Sequence, residues 1–320
     1  MASKADEIAA RPQPSGTRGA AAEWVTRRER GNVTLLRFMA FVSLRLGRPV
    51  GRFLLFFIAA YFFAFAPVAR RHAIAYLRRA LGRKPSPLDR FRQIWTFAAT
   101  IHDRIYLVNQ RFDLFEITIE GEEWVADALQ AGQGAFLMGS HVGSFEVIRS
   151  VGQRQGTLRV AMAMYDENAR KVNDILAAIA PATKPDVIRL GRMDAMLKIR
   201  EYLDQGIFVG VLGDRTLGAE ASQPVEFLGS TACFPLGAMR AAAILRRPVI
   251  FMVGLYRGGN RYHVRFERLA DFSAIGPAQR DATMSAAVVR YAALLEQYCR
   301  SDPYNWFNFY DFWRRGDVGH

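Results

Sequence analysis

The 320-residue chain has two cysteines, Cys233 and Cys299, and no Cys-x-x-Cys pair. That excludes a disulfide framework and a four-ligand zinc site, so the fold rests on packing, and it points to a reducing compartment. Acidic residues are scarce where the charge is concentrated. The first 100 residues carry 18 Lys and Arg against 5 Asp and Glu, whereas residues 101–320 carry 25 of each. The whole net charge of +13 is therefore N-terminal. A nucleic-acid-binding domain would carry its basic residues on the folded body, but here the body is neutral and the arginines surround apolar sequence. The partner expected is an anionic membrane surface, with no nucleic acid. Also missing are a Gly-x-Ser-x-Gly elbow, which removes the usual tethered serine nucleophile, and any internal repeat. Residues 1–20 have no signal-peptide apolar core and read as a disordered lead-in.

Hydrophobic sequence, by contrast, is plentiful: 51% of residues are apolar and 12% aromatic, enough for a full core. Residues 34–47 are mostly apolar but interrupted by Arg37 and Arg45. An uncharged run of 17 residues follows at 53–69, with Arg48 and Arg52 before it and Arg70 and Arg71 after it. As a helix it would cover about 25 Å, at or just below the thickness of a bilayer core. A short spanning helix, an embedded hairpin, a surface helix and a buried core helix all fit that length. Arginines at both ends favour the membrane readings over the buried one. We take 21–84 as a basic, apolar, membrane-associated helical region and 85–320 as a second domain.

In that second domain, short apolar runs at 115–119, 134–139, 158–164, 186–190, 207–212, 248–253 and 262–266 read as strands. Helical patterns at 146–152, 168–179, 194–205, 237–246 and 281–300 lie between or after them. Strands separated by helices of this length predict an α/β fold with a largely parallel sheet flanked by helices.

The stretch GAFLMGSHVGSFEVI at 134–148 carries the most chemistry. It reads as a buried strand ending at Gly139, a turn holding His141 and Gly143, and a helix opened by Ser144. Ligands gather at such strand ends. His141 and Glu146 are five residues apart, about 140° on a helix. They can meet only with the histidine on the turn and the carboxylate on the first helical turn behind it. Glu146 would then fix the imidazole tautomer and leave the other nitrogen as a base. The alternative is a structural loop histidine. Asp214, after an apolar strand and Gly213, sits where either a second site carboxylate or a helix cap would sit.

His-x4-Glu in this strand–turn–helix setting resembles the signature of glycerolipid-type acyltransferases, which usually show His-x4-Asp. Within GSHVGSFE (139–146) it is similar to the lipid A biosynthesis late acyltransferases, lauroyl and myristoyl transferases of the bacterial inner membrane. Further matches follow in order: YDENAR (165–170), VLGDR (211–215), VEFLGS (225–230) and RPVIF (247–251). The resemblance spans about residues 22–313. It implies a glycerol-3-phosphate-acyltransferase-like fold on the cytoplasmic side of the inner membrane, with no cofactor and no metal. It also implies transfer of a fatty acyl group from an acyl carrier protein thioester to a hydroxyl of a lipid-like acceptor, acyl-CoA being the alternative donor. His141 would be the general base, Glu146 its orienting carboxylate, and backbone N–H groups of the Gly-rich turns the oxyanion donors. Arg170, Asp214, Arg189, Arg215 and Gly213 would bind substrate, Arg170 through its planar fork. A solvated surface role is the alternative for each arginine.

Two apolar segments have two readings each. Residues 227–237 form either an acyl-tunnel wall or ordinary core, in a turn-rich loop. The run YNWFNFYDFW at 304–313 holds seven aromatics and either meets a membrane interface or acyl chain, or docks on the core. This run departs from the Trp-x-Trp pattern of the lipid A enzymes and is more similar to relatives associated with aryl-polyene or flexirubin-type lipids, which leaves the acceptor open. A lipid-binding homologue without turnover is the rival from another functional class.

Overall fold

The computed structural model describes residues 33–155, 158–180, 186–216 and 220–313; the expected lead-in at 1–20 lies outside them. Nine strands are described: β1 (Glu116–Glu120), β2 (Phe136–Gly139), β3 (Val160–Tyr165), β4 (Val187–Leu190), β5 (Phe208–Leu212), β6 (Ser222–Phe227), β7 (Ser230–Pro235), β8 (Pro248–Tyr256) and β9 (Arg261–Asp271). The helices are α1 (Val33–Leu46), α2 (Arg48–Phe65), α3 (Pro67–Leu81), α4 (Pro87–Val108), α5 (Glu122–Gln130), α6 (Phe145–Gln155), α7 (Asp166–Ile179), α8 (Ala195–Asp204), α9 (Gly237–Leu245) and α10 (Arg280–Ser301).

Seven strands form one sheet in the order β1-β9-β8-β2-β5-β3-β4. All seven coincide with the runs picked out by apolar patterning, and every pairing is parallel except β8 with β9. That pair is joined by a tight connection through Gly258 and Gly259, both at positive φ, and so short a link cannot cross over to make a parallel neighbour. β2 is buried at all four positions and β8 at nearly all nine, the near-continuous apolar pattern of parallel strands covered on both faces. Side-chain alternation then splits the core in two. Phe136, Met138 and Phe251 pack on one face with Ile199 of α8, Ala242 of α9 and Tyr291 of α10. Leu137, Ile250 and Met252 pack on the other with Tyr106 of α4, Val125 of α5 and Val147 of α6.

Two expectations are corrected. Residues 227–237 are not a loop over most of their length: β6 and β7 form an antiparallel hairpin about Leu228 and Gly229. Both turn residues have positive φ, as a two-residue hairpin requires, and the Leu228 N–H donates to the Glu296 carboxylate at 2.6 Å. Phe227 and Phe234 of this hairpin are buried against Trp306, Tyr291 and Phe312. The apolar run at 53–69 is likewise not one helix. α2 begins earlier, at Arg48, and stops at Phe65, and Pro67 opens α3, because proline has no N–H to continue the ladder.

α2 is the one helix among the described residues long and apolar enough to cross a membrane, with mean hydropathy 1.5 and only 17% of its span buried. It buries Gly51, Leu55 and Ala59, one stripe at helical spacing, while Phe53, Phe57, Tyr61 and Phe65 are 56–65% exposed on another. Its first turn is tied to the body by Asp103 of α4, which accepts from Arg48 Nε at 2.8 Å, Arg52 Nη2 at 2.6 Å and the Tyr262 hydroxyl at 2.8 Å. Beside it, His102 Nε2 lies 2.9 Å from Ser43 Oγ. A Cβ on Gly51 would stand 2.3 Å from that ring nitrogen, so only glycine lets α2 close over the cluster.

Candidate active site

His141 lies on the turn between β2 and α6, and Asp214 on the turn after β5. These strands are parallel neighbours with Gly139 opposite Leu212, so each side chain stands two residues past the same rung. Gly213 N–H donates to the Gly139 carbonyl at 3.0 Å and carries the register past the strand ends. As a result the Asp214 carboxylate meets the histidine twice: Oδ2 accepts from the His141 backbone N–H at 2.9 Å, and Oδ1 is 2.8 Å from Nδ1 of the ring. Asp214 Oδ2 also accepts from the Trp306 indole N–H at 3.0 Å.

The carboxylate expected to orient the ring was Glu146, and the structure corrects that pairing. Glu146 sits buried in the first turn of α6, where Arg149 Nε donates to it at 3.0 Å and Arg104 Nε of α4 lies 3.8 Å away. Arg149 shares its helical face at i+3, and two guanidinium charges hold a carboxylate more strongly than a neutral imidazole does. Gly143 completes the separation. At φ +67°, with the Gly254 carbonyl oxygen only 2.0 Å from where a Cβ would sit, it turns the chain so that α6 starts facing away from the ring.

Burial pushes the His141 imidazole below its ordinary value; the nearby Arg215 charge adds to this, while Asp214 opposes it. Burial alone would raise the Asp214 carboxyl, but His141, Arg215 and the Trp306 N–H outweigh it and hold the group well below the usual carboxylate range. The stable arrangement near neutral pH is therefore an ionised Asp214 accepting from Nδ1–H of a neutral ring, which leaves the lone pair on Nε2. His141 is 27% exposed, and no described residue bonds its Nε2.

The other expected residues divide by strand order. Arg215, next to Asp214, donates to the Phe307 carbonyl at 3.3 Å and lies over the Tyr310 ring, within the site. Gly213 is buried, and a Cβ there would meet Met138 and Tyr291; its place is beneath the pair, in packing. Arg170 is exposed on α7, after β3. Arg189 is exposed on β4, 3.6 Å from Asp166. β3 lies two strands from β2 and β4 three, about 10 and 14 Å at normal sheet spacing, and no contact among the described residues joins either arginine to His141. Three amides of the His141 turn are already engaged: Gly143 N–H with the Asn305 carbonyl, Ser144 N–H with that of Gly254, and His141 N–H with Asp214.

Sequence reasoning missed Trp306 as part of the site. The aromatic run that contains it docks on the core, with Trp306 1% exposed and Asn305 and Asn308 also buried. Its density of aromatic residues was the only signal, and that marks burial, not the residue it touches.

The family model for bacterial lipid A biosynthesis acyltransferases matches residues 31–315 of this chain. No curated protein matches it.

Proposed function

Because this chain belongs to the bacterial lipid A biosynthesis acyltransferase family, we propose that it moves a fatty acyl chain from an acyl carrier protein thioester to a hydroxyl of a lipid A type acceptor. His141 is the general base and Asp214 the carboxylate that orients it. Nε2 takes the hydroxyl proton as the oxygen attacks the thioester carbonyl carbon. Asp214 holds the ring and stabilises the imidazolium that forms. When the C–S bond breaks, the thiolate leaves and recovers the proton from His141, so the enzyme ends as it began. Arg215, the cation beside the pair, faces the negative charge that develops on the acyl oxygen. The observation that carries this reading is the 2.8 Å contact between Nδ1 and a buried, ionised carboxylate, which leaves Nε2 as a base at the carboxyl end of a parallel sheet.

Membrane attachment is part of the proposal. The exposed aromatic stripe of α2, with Phe38 and Phe41 of α1, enters the cytoplasmic leaflet of the inner membrane. Arg70, Arg71 and Arg78 of α3 meet its anionic headgroups. α2 is held at Asp103 and packs Phe56 and Phe63 against Phe91 of α4. Because α4 carries Asp89, Arg90, Arg92, Asp103 and Arg104, crossing the bilayer in this docked state would take those charges into hydrocarbon, at several kcal/mol. The helix pair therefore lies in the interface.

The test is release of free carrier thiol from acyl carrier protein by membranes containing the protein, with the acylated product identified by mass spectrometry. His141→Ala is expected to abolish release while leaving membrane attachment intact. Wild-type turnover in that variant overturns the mechanism, and lipid binding without thiol release by the wild type overturns the enzymatic reading. The acylated lipid itself separates a lipid A precursor from an aryl-polyene acceptor, and acyl-CoA in place of the carrier identifies the donor.

A further inference from the structure

The C-terminal segment does more than cover the core. Gly143 N–H donates to the Asn305 carbonyl at 2.8 Å and Phe307 N–H to the His141 carbonyl at 2.9 Å. Val142 and Trp306 face each other across this antiparallel bridge, so residues 305–307 act as a short strand laid along the His141 turn. The segment is anchored on its other side, where the Trp306 carbonyl accepts from Gln93 Nε2 at 2.8 Å. Asn305 both accepts from the Tyr256 N–H and donates to the Tyr256 carbonyl. The Trp306 ring is walled by Tyr76 at 4.8 Å, Phe312 at 4.9 Å and Phe227 at 5.4 Å between centroids, which leaves the indole one direction for its N–H.

That direction is Asp214 Oδ2. We infer that Trp306 is a positioning residue for the reaction: its indole N–H and the His141 backbone N–H together pin Oδ2, so that Oδ1 alone is presented to the imidazole. A carboxylate fixed at three points cannot rotate about its Cβ–Cγ bond, and the ring it holds keeps Nε2 on a fixed line. The indole dipole has a second effect. Its positive end draws charge toward Oδ2, weakening the pull of Asp214 on the imidazolium, and so keeps the ring a moderate base that can return its proton to the leaving thiolate. The inference rests on the mechanism proposed above.

Trp306→Phe removes the donor and keeps an aromatic ring. It is expected to lower kcat about tenfold with little change in KM for the acyl donor, and to move the acid limb of kcat/KM upward by about half a pH unit, since the full charge of Asp214 then favours the protonated ring. Gln93→Leu loosens the same segment without touching the indole, and should lower the melting temperature without moving the limb. A limb unmoved in Trp306→Phe, or moved equally in both variants, overturns the inference. If Trp306→Phe does not fold, replacing all tryptophans by 5-fluorotryptophan keeps the shape and strengthens the N–H donor. The limb should then move down, and no movement overturns the inference. His141→Ala keeps the two claims apart: turnover in that variant removes the mechanism, whereas a dead His141→Ala with an unmoved Trp306→Phe limb removes only the role of Trp306.

Discussion

Among the described residues two buried aspartates stand beside histidines, and only one of the pairs leaves its histidine open. Asp103 is fully buried and held by Arg48, Arg52 and Tyr262, with His102 Nδ1 3.8 Å away and His102 Nε2 against Ser43. By contact order alone this is a serine–histidine–aspartate chain. His102 is 1% exposed, however, and α2 closes over it at Gly51. Asp214 is equally buried, but its histidine is 27% exposed and keeps one nitrogen open. A buried carboxylate next to an imidazole is therefore not enough to make a site. In the first cluster one carboxylate draws in two guanidinium groups and fastens α2 to the body; in the second, one side of the histidine is left open.

The comparison is tested most strongly by removing each charge in turn. Asp214→Asn should lower kcat on the order of 10³-fold, because the neutral amide no longer selects the tautomer or stabilises the imidazolium. Circular dichroism should show a folded protein. Asp103→Asn should do the reverse. It leaves two arginines facing a neutral group and should cost about 3–5 kcal/mol in denaturant unfolding, with the turnover of the folded fraction within about twofold of wild type. Comparable kcat losses in the two variants would erase the distinction.

A smaller effect is expected at Glu146, another buried carboxylate. Glu146→Gln should lower kcat about tenfold or less and cost about 1–3 kcal/mol of stability, because it leaves Arg149 and Arg104 without their anion. A kcat loss matching that of Asp214→Asn would restore Glu146 as the ring's partner in the working enzyme.

The smallest effect concerns pH. Burial holds His141 and His102 below the ordinary value of 6.5. In the range between their folded pKa and 6.5 the unfolded chain binds more protons than the folded one, so each contributes a loss of stability as pH falls below about 6.5. In the proposed mechanism only His141 faces substrate, so the acid limb of kcat/KM should lie below 6.5 and persist in His102→Gln, which changes the stability profile alone. Stopped-time assays and thermal melts across pH 5–8 separate the two, and a limb at or above 6.5 contradicts the environment described for His141.

How much of this was legible depended on whether the signal was local. All seven strands of the main sheet were read from apolar patterning. His141 was correctly placed on the turn after β2, since Gly139, Gly143 and the apolar run before them mark a strand end within ten residues. α4 does not stand out as a helix in the sequence despite the capping box of Ser86 and Asp89, because it follows directly on the basic apolar helices and blends with them. The β6–β7 hairpin reads as a loop in the sequence because its turn uses Leu228, a residue that seldom adopts positive φ, instead of the usual Asn-Gly.

What the sequence by itself determined is the α/β layering, the concentration of positive charge around the N-terminal apolar helices and the position of the histidine, because each follows from neighbours along the chain. Which carboxylate serves that histidine was decided only by the tertiary structure. Glu146 is five residues away and turned toward arginines. Asp214 is 73 residues away and Trp306, which pins it, a further 92. The parallel pairing of β2 with β5 and the docking of the C-terminal segment bring those two to the ring. Such pairings arise when separate faces are buried together, and no local pattern of residue types encodes them.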